Sequence, residues 1–232
     1  TGADIRITVN GNFNYTGGNV IIVNKADAPL RMTITGSTSI NNTSGTGSLN
    51  LIEGGNGALT FSTLDFNLLS GSNNYLLGTP TSNLQYKGIG TFTITNDMNL
   101  GGTSSLYFAY GDSSVGKIRI AITRDLNING NATVYGAYTS GAFTLRAGRN
   151  LTLTQGKFSG QNYSLNAQVD SIIIGTSFLF NSTVASDYFK ANRSSGNTIV
   201  TSSTFSLLYS GTGYGQGVAL VDSGAANLSF IT

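Results

Sequence analysis

Short segments of apolar-x-apolar form recur along the whole chain. They begin at Ile5, Met32, Leu59, Phe92, Ile118, Phe143, Ile172, Ile199 and Leu228, in steps of 27, 27, 33, 26, 25, 29, 27 and 29 residues. A second apolar pair follows each of the first eight, at Phe13, Ile40, Phe66, Met98, Leu126, Leu151, Phe178 and Phe205. A less regular third segment appears in most repeats, at Val20, Leu49, Leu106, Tyr163, Tyr188 and Val218. Alternation with a period of two is the mark of a strand, and the Gly, Asn and Ser clusters between segments read as turns. No stretch carries the spacing and caps of a helix.

A β-sandwich also has many short strands. It offers no reason for a three-strand unit returning every 28 residues or so. A parallel β-helix does, because each repeat is one coil stacked on the next. The expected fold is therefore all-β: a parallel β-helix, or β-solenoid, of about eight coils of about 28 residues, three strands per coil. It spans residues 1–232 as a single domain, either a module of a longer chain or a protomer of a fibre. With strands about 4.8 Å apart, eight coils make a rod about 40 Å long. Stacking places Ile5, Met32, Leu59, Phe92, Ile118 and Phe143 in one interior row and Phe13, Ile40, Phe66, Met98, Leu126 and Leu151 in another. The residues between them point outward. The first outward column reads Arg6, Thr33, Thr60, Thr93, Arg119, Thr144, Ile173, Val200 and Ser229.

The second outward column holds the chemistry. It reads Asn12/Asn14, Ser39/Asn41, Asp65/Asn67, Asp97/Asn99, Asp125/Asn127 and Asn150/Thr152, so Asp-apolar-Asn returns in three successive coils. Three readings follow. Asp65, Asp97 and Asp125 with Asn67, Asn99 and Asn127 offer hard oxygen ligands for a calcium ion. Neighbouring carboxylates about 5 Å apart suit acid–base or nucleophilic attack on a polysaccharide. The plainest reading is a corner ladder, in which Asn, Asp and Ser bond backbone at successive turns. Arg124 and Arg149 stand just before that column and would offset its repulsion.

Composition narrows the chemistry. The chain has no His and no Cys among its 232 residues, which removes an imidazole base, a thiolate nucleophile and disulfides. Charged residues are 9% and the net charge is +2, so nothing points to nucleic acid. No apolar run is long enough for a transmembrane helix. Gly, Ser, Thr and Asn make up about half the chain, a composition that suits a secreted or surface-exposed protein. Six of the twelve basic residues fall at Lys117, Arg119, Arg124, Arg146, Arg149 and Lys157, a candidate patch for an anionic surface glycan. Tyr107, Tyr110, Tyr135, Tyr138, Tyr163 and Tyr188 gather on the third side, where tyrosines can stack on sugars.

The segments FTLRAGRNLTLTQGKF (Phe143 to Phe158) and DLNINGNATVYG (Asp125 to Gly136) resemble the repeats of filamentous-haemagglutinin-type and autotransporter-passenger adhesins. That resemblance implies an exported, right-handed β-helix on a bacterial surface; no functional residue carries over with it. The expected role is structural or adhesive: a surface layer, filament or adhesin stalk, assembling with itself through its ends or sides and meeting surface glycans, without enzymatic turnover. A glycan-active or glycan-binding β-helix and a viral or phage fibre segment are the alternatives.

Overall fold

The structure is a computed structural model and describes residues 4–42, 48–70, 73–78, 86–110, 117–137, 140–161, 166–184, 186–192, 195–209, 217–221 and 225–231. It is a parallel β-solenoid, and no helix occurs among the described residues. The first face is a nine-stranded sheet: Ile5–Val9, Leu30–Ile34, Leu59–Thr63, Gly90–Ile94, Ile118–Ile122, Ser140–Ala147, Asn166–Ile174, Ser195–Thr201 and Ala225–Ile231. The second has eight strands: Phe13–Tyr15, Thr38–Asn41, Phe66–Ser70, Met98–Leu100, Leu126–Asn129, Asn150–Thr154, Ser177–Ser182 and Thr204–Tyr209. The third has six: Asn73–Tyr75, Ser105–Ala109, Thr133–Ala137, Lys157–Gln161, Tyr188–Asn192 and Gly217–Val221. Every strand pairs in parallel with its counterpart one turn away.

The regular solenoid runs to about six turns spaced about 28 residues apart, not the eight expected. The difference lies on the third face. Val20–Lys25 and Leu49–Gly54 form a separate two-stranded ladder there, which meets the following turn through the isolated bridges Ile52↔Leu77 and Gly55↔Tyr86 instead of a continuous strand pairing. The turn from Leu59 to Gly90, which pair with each other, is the longest among the registered first-face turns.

Register corrects the expected rows by two residues in places. Ile5 aligns with Leu30, Leu59, Gly90, Ile118 and Phe143, while Met32 aligns with Ile7, Phe61 and Phe92. On the second face Ile40 aligns with Tyr15 and Leu68, and Thr38 takes the inward place beside Phe13 and Phe66. The outward column shifts in step: Arg6, Arg31, Thr60, Thr91, Arg119 and Thr144 align, and Val200 is fully buried beside Ile172 instead of outward. A slip of two keeps every side chain on its face, so both rows point inward and alternation alone does not separate them. The third-face strand expected at Tyr163 is Lys157–Gln161; Tyr163 itself lies outside the described residues, and Ala167 belongs to the first face.

The bore is filled by apolar side chains, with Phe61, Phe66, Phe92, Phe108, Phe143, Phe158, Phe178 and Phe189 fully buried. They meet both along and across faces: Phe92 lies 5.9 Å from Phe61 of the same face and 5.1 Å from Phe108 of the third, centre to centre, and Phe178 stacks on Phe205 of the same face at 4.5 Å. Each buried Phe contributes about 2–3 kcal/mol through area removed from water. The inward Thr38 is satisfied by donating to Thr63 Oγ1 at 3.0 Å.

Candidate functional site

The corner between the first and second faces is built by one repeated bond. At four of the corners the side-chain oxygen accepts the backbone N–H of the corner residue one turn on. Asn12 Oδ1 accepts from Ser37 (2.9 Å), Asp65 Oδ1 from Asp97 (3.3 Å), Asp97 Oδ1 from Asp125 (3.1 Å) and Asp125 Oδ1 from Asn150 (3.1 Å). Ser37 occupies the column where Ser39 was expected, and its hydroxyl donates to Asp65 Oδ2 at 3.0 Å. Ser39 stands instead in the next column, beside Asn14 and Asn67. Ser37, Asp97 and Asp125 lie between strands and Asn150 opens a second-face strand, so a side-chain acceptor satisfies N–H groups at or beyond the ends of the ladders.

Two residues further, Asn67, Asn99 and Asn127 form an amide ladder. Asn99 Nδ2 donates to Asn67 Oδ1 at 3.1 Å and Asn127 Nδ2 to Asn99 Oδ1 at 3.0 Å. The middle amide, Asn99, gives at one end and receives at the other, which links the row along the axis.

The arginines expected beside this column are there. Arg124 Nε lies 3.5 Å from Asp97 Oδ1, and Arg149 grips Asp125 through both Nε and Nη2. Burial alone would raise the Asp125 carboxyl. The Arg149 hydrogen bond, the Asn150 backbone N–H, the Arg149 charge and the Asn150 amide outweigh it and hold that carboxyl below its ordinary value. One oxygen each of Asp65, Asp97 and Asp125 accepts a backbone N–H, and Asp97 and Asp125 also face Arg124 and Arg149. Among the described residues no three acidic side chains come together as a set that could hold a metal ion.

The basic residues are divided among three surfaces. Arg119 and Arg146 are exposed on the first face, one turn apart in neighbouring outward columns. Arg124 and Arg149 belong to the corner, Lys117 precedes a first-face strand, and Lys157 begins a third-face strand.

The third face carries a tyrosine stack. Tyr75, Tyr107 and Tyr135 are in register on three successive strands. Tyr75 and Tyr107 have ring centres 4.8 Å apart at 20°, and Tyr107 and Tyr135 are 4.6 Å apart at 16°. Tyr110 lies crosswise, 5.1 Å from Tyr75 and 5.4 Å from Tyr107. Further along the face, Lys190 Nζ sits 5.0 Å from the Tyr188 ring centre. Tyr138 lies outside the described residues. Tyr75 was missed from sequence because its strand, Asn73–Tyr75, is three residues long and carries one apolar side chain, too little for an alternation signal.

Compared with known proteins, the chain matches no family model, and neither a curated protein nor a solved structure shows detectable similarity to it. The likeness to haemagglutinin-type repeats therefore holds at the level of the parallel β-solenoid.

Proposed function

We propose that this chain is an extracellular structural or adhesive β-solenoid, a rod that builds a surface layer, filament or adhesin stalk and performs no turnover. The observation that supports this is the engagement of its acidic column: one oxygen each of Asp65, Asp97 and Asp125 holds the backbone of the next turn. A catalytic pair needs carboxylates free to exchange protons with substrate and water. Adhesion needs only a stiff scaffold with an outward surface, and exposed Arg119 and Arg146 are where an anionic surface glycan would be held. Self-assembly would extend the same parallel ladders from rod to rod.

The test pairs imaging with substitution. Electron microscopy of the purified protein is expected to show rods joined into filaments or sheets; trimeric spikes would favour a viral fibre instead. Asn12 and Asn150 already occupy the corner column, so Asp97→Asn keeps the backbone acceptor and should leave fold and assembly intact. Asp97→Asn and the native chain should behave alike on a panel of polysaccharides. Hydrolysis or elimination by the native chain that vanishes in Asp97→Asn would overturn the structural reading in favour of a glycan-active enzyme.

A further inference from the structure

We propose that Tyr107 and Tyr135 form an oxidative cross-linking site, where a one-electron oxidant of the peroxidase class couples the two rings through an ortho carbon–carbon bond and ties successive turns together covalently. The chain has no Cys, so a disulfide cannot serve this purpose, yet it has 11 Tyr. Tyr107 and Tyr135 are directly paired across parallel strands, with ring centres 4.6 Å apart and planes 16° from parallel. Both side chains are half-buried at the surface, within reach of an oxidant.

The stack turns its ring faces toward one another. Sugar binding needs those faces open, whereas radical coupling needs ring carbons held close together. Removing one electron and the phenolic proton from a tyrosine leaves a phenoxyl radical with spin on the carbons ortho to oxygen. Two such radicals combine at those carbons, and each ring then loses its ortho hydrogen as a proton while its phenoxyl oxygen regains one through water, restoring both aromatic rings. The pair has given up two electrons and two protons in all, and hydrogen peroxide, reduced to two waters, accepts them. Holding the rings in register supplies the encounter that free phenols must find by diffusion. Closing the bond requires rotation about the side-chain torsions of two surface residues. Tyr15 and Tyr86, by contrast, are buried and bonded to the carbonyls of Gly18 and Gly57.

The experiment treats the dilute folded chain with a haem peroxidase and hydrogen peroxide. Trypsin cleavage at Lys117 and Arg124 places Tyr107 and Tyr135 on different peptides. The expected result is dityrosine fluorescence, a monomer lighter by two hydrogens, and a linked pair of peptides joining Tyr107 to Tyr135. The treated chain should also unfold at a higher temperature. Tyr107→Phe and Tyr135→Phe keep the ring stack and should each remove that linked pair, while Tyr188→Phe should leave its yield unchanged. The proposal fails if no such pair forms, if it persists in Tyr135→Phe, or if links arise only between chains and scale with concentration.

Discussion

Asp125 accepts the Asn150 N–H, the Asn150 amide and the Arg149 guanidinium, so one side chain secures a backbone corner and an ion pair together. Its folded pKa is lower than in the unfolded chain. Its contribution is therefore complete above the ordinary carboxylate range and fades as pH falls through the folded value. Denaturant unfolding should show stability falling as pH drops below about 4, part of it from this residue. Asp125→Asn keeps the backbone acceptor but loses the charged bonds, and should cost about 1 kcal/mol at neutral pH, the low end because Arg149 is 46% exposed. That difference should shrink in acid. The role was legible in sequence because Asn, Asp and Ser alternate in one column, and all three can accept a backbone N–H. Which Ser filled the second turn was not legible, since Ser37 and Ser39 both fit by type.

At the scale of strands and corners, tight stacking of turns sets the constraints. A Cβ on Gly148 would lie 2.1 Å from the Thr123 carbonyl oxygen, a backbone atom of the preceding turn that cannot rotate away. Gly148→Ala should therefore destabilise by about 2 kcal/mol or more, measured by thermal or denaturant unfolding. Gly90 shows why the expected rows slipped. It holds an inward place between Leu59 and Ile118, yet has no side chain to mark it, so the first apolar residue of that strand in the sequence is Phe92. Leu77 Cδ1 lies 2.5 Å from where a Gly90 Cβ would stand, so the neighbouring turn fills the space the glycine leaves.

Over the whole rod, each turn touches chiefly the turns before and after it, and stability is close to a sum of neighbour terms. Phe92 packs between Phe61 on the first face and Phe108 on the third, so Phe92→Ala should cost about 3–5 kcal/mol. Hydrogen exchange should rise first in the turns containing Phe61, Phe92 and Phe108, and least in the distant turn around Phe178 and Phe189, where a separate aromatic cluster persists.

The sequence by itself determined that the chain is a parallel β-solenoid with three strands per turn, which faces are apolar, and that Asp65, Asp97 and Asp125 share a corner. These follow from a period of two within strands and near 28 between turns, both carried by residue type. Only the tertiary structure decided the register within each face, the break in the third ladder, the binding of each Asp oxygen to the next turn, and the joining of Tyr75 to the Tyr107–Tyr135 stack. The reason is physical. A shift of two residues preserves every inward-facing position and so leaves no trace in the pattern. Turn length varies from coil to coil, and contacts between turns are settled only when the backbones stack.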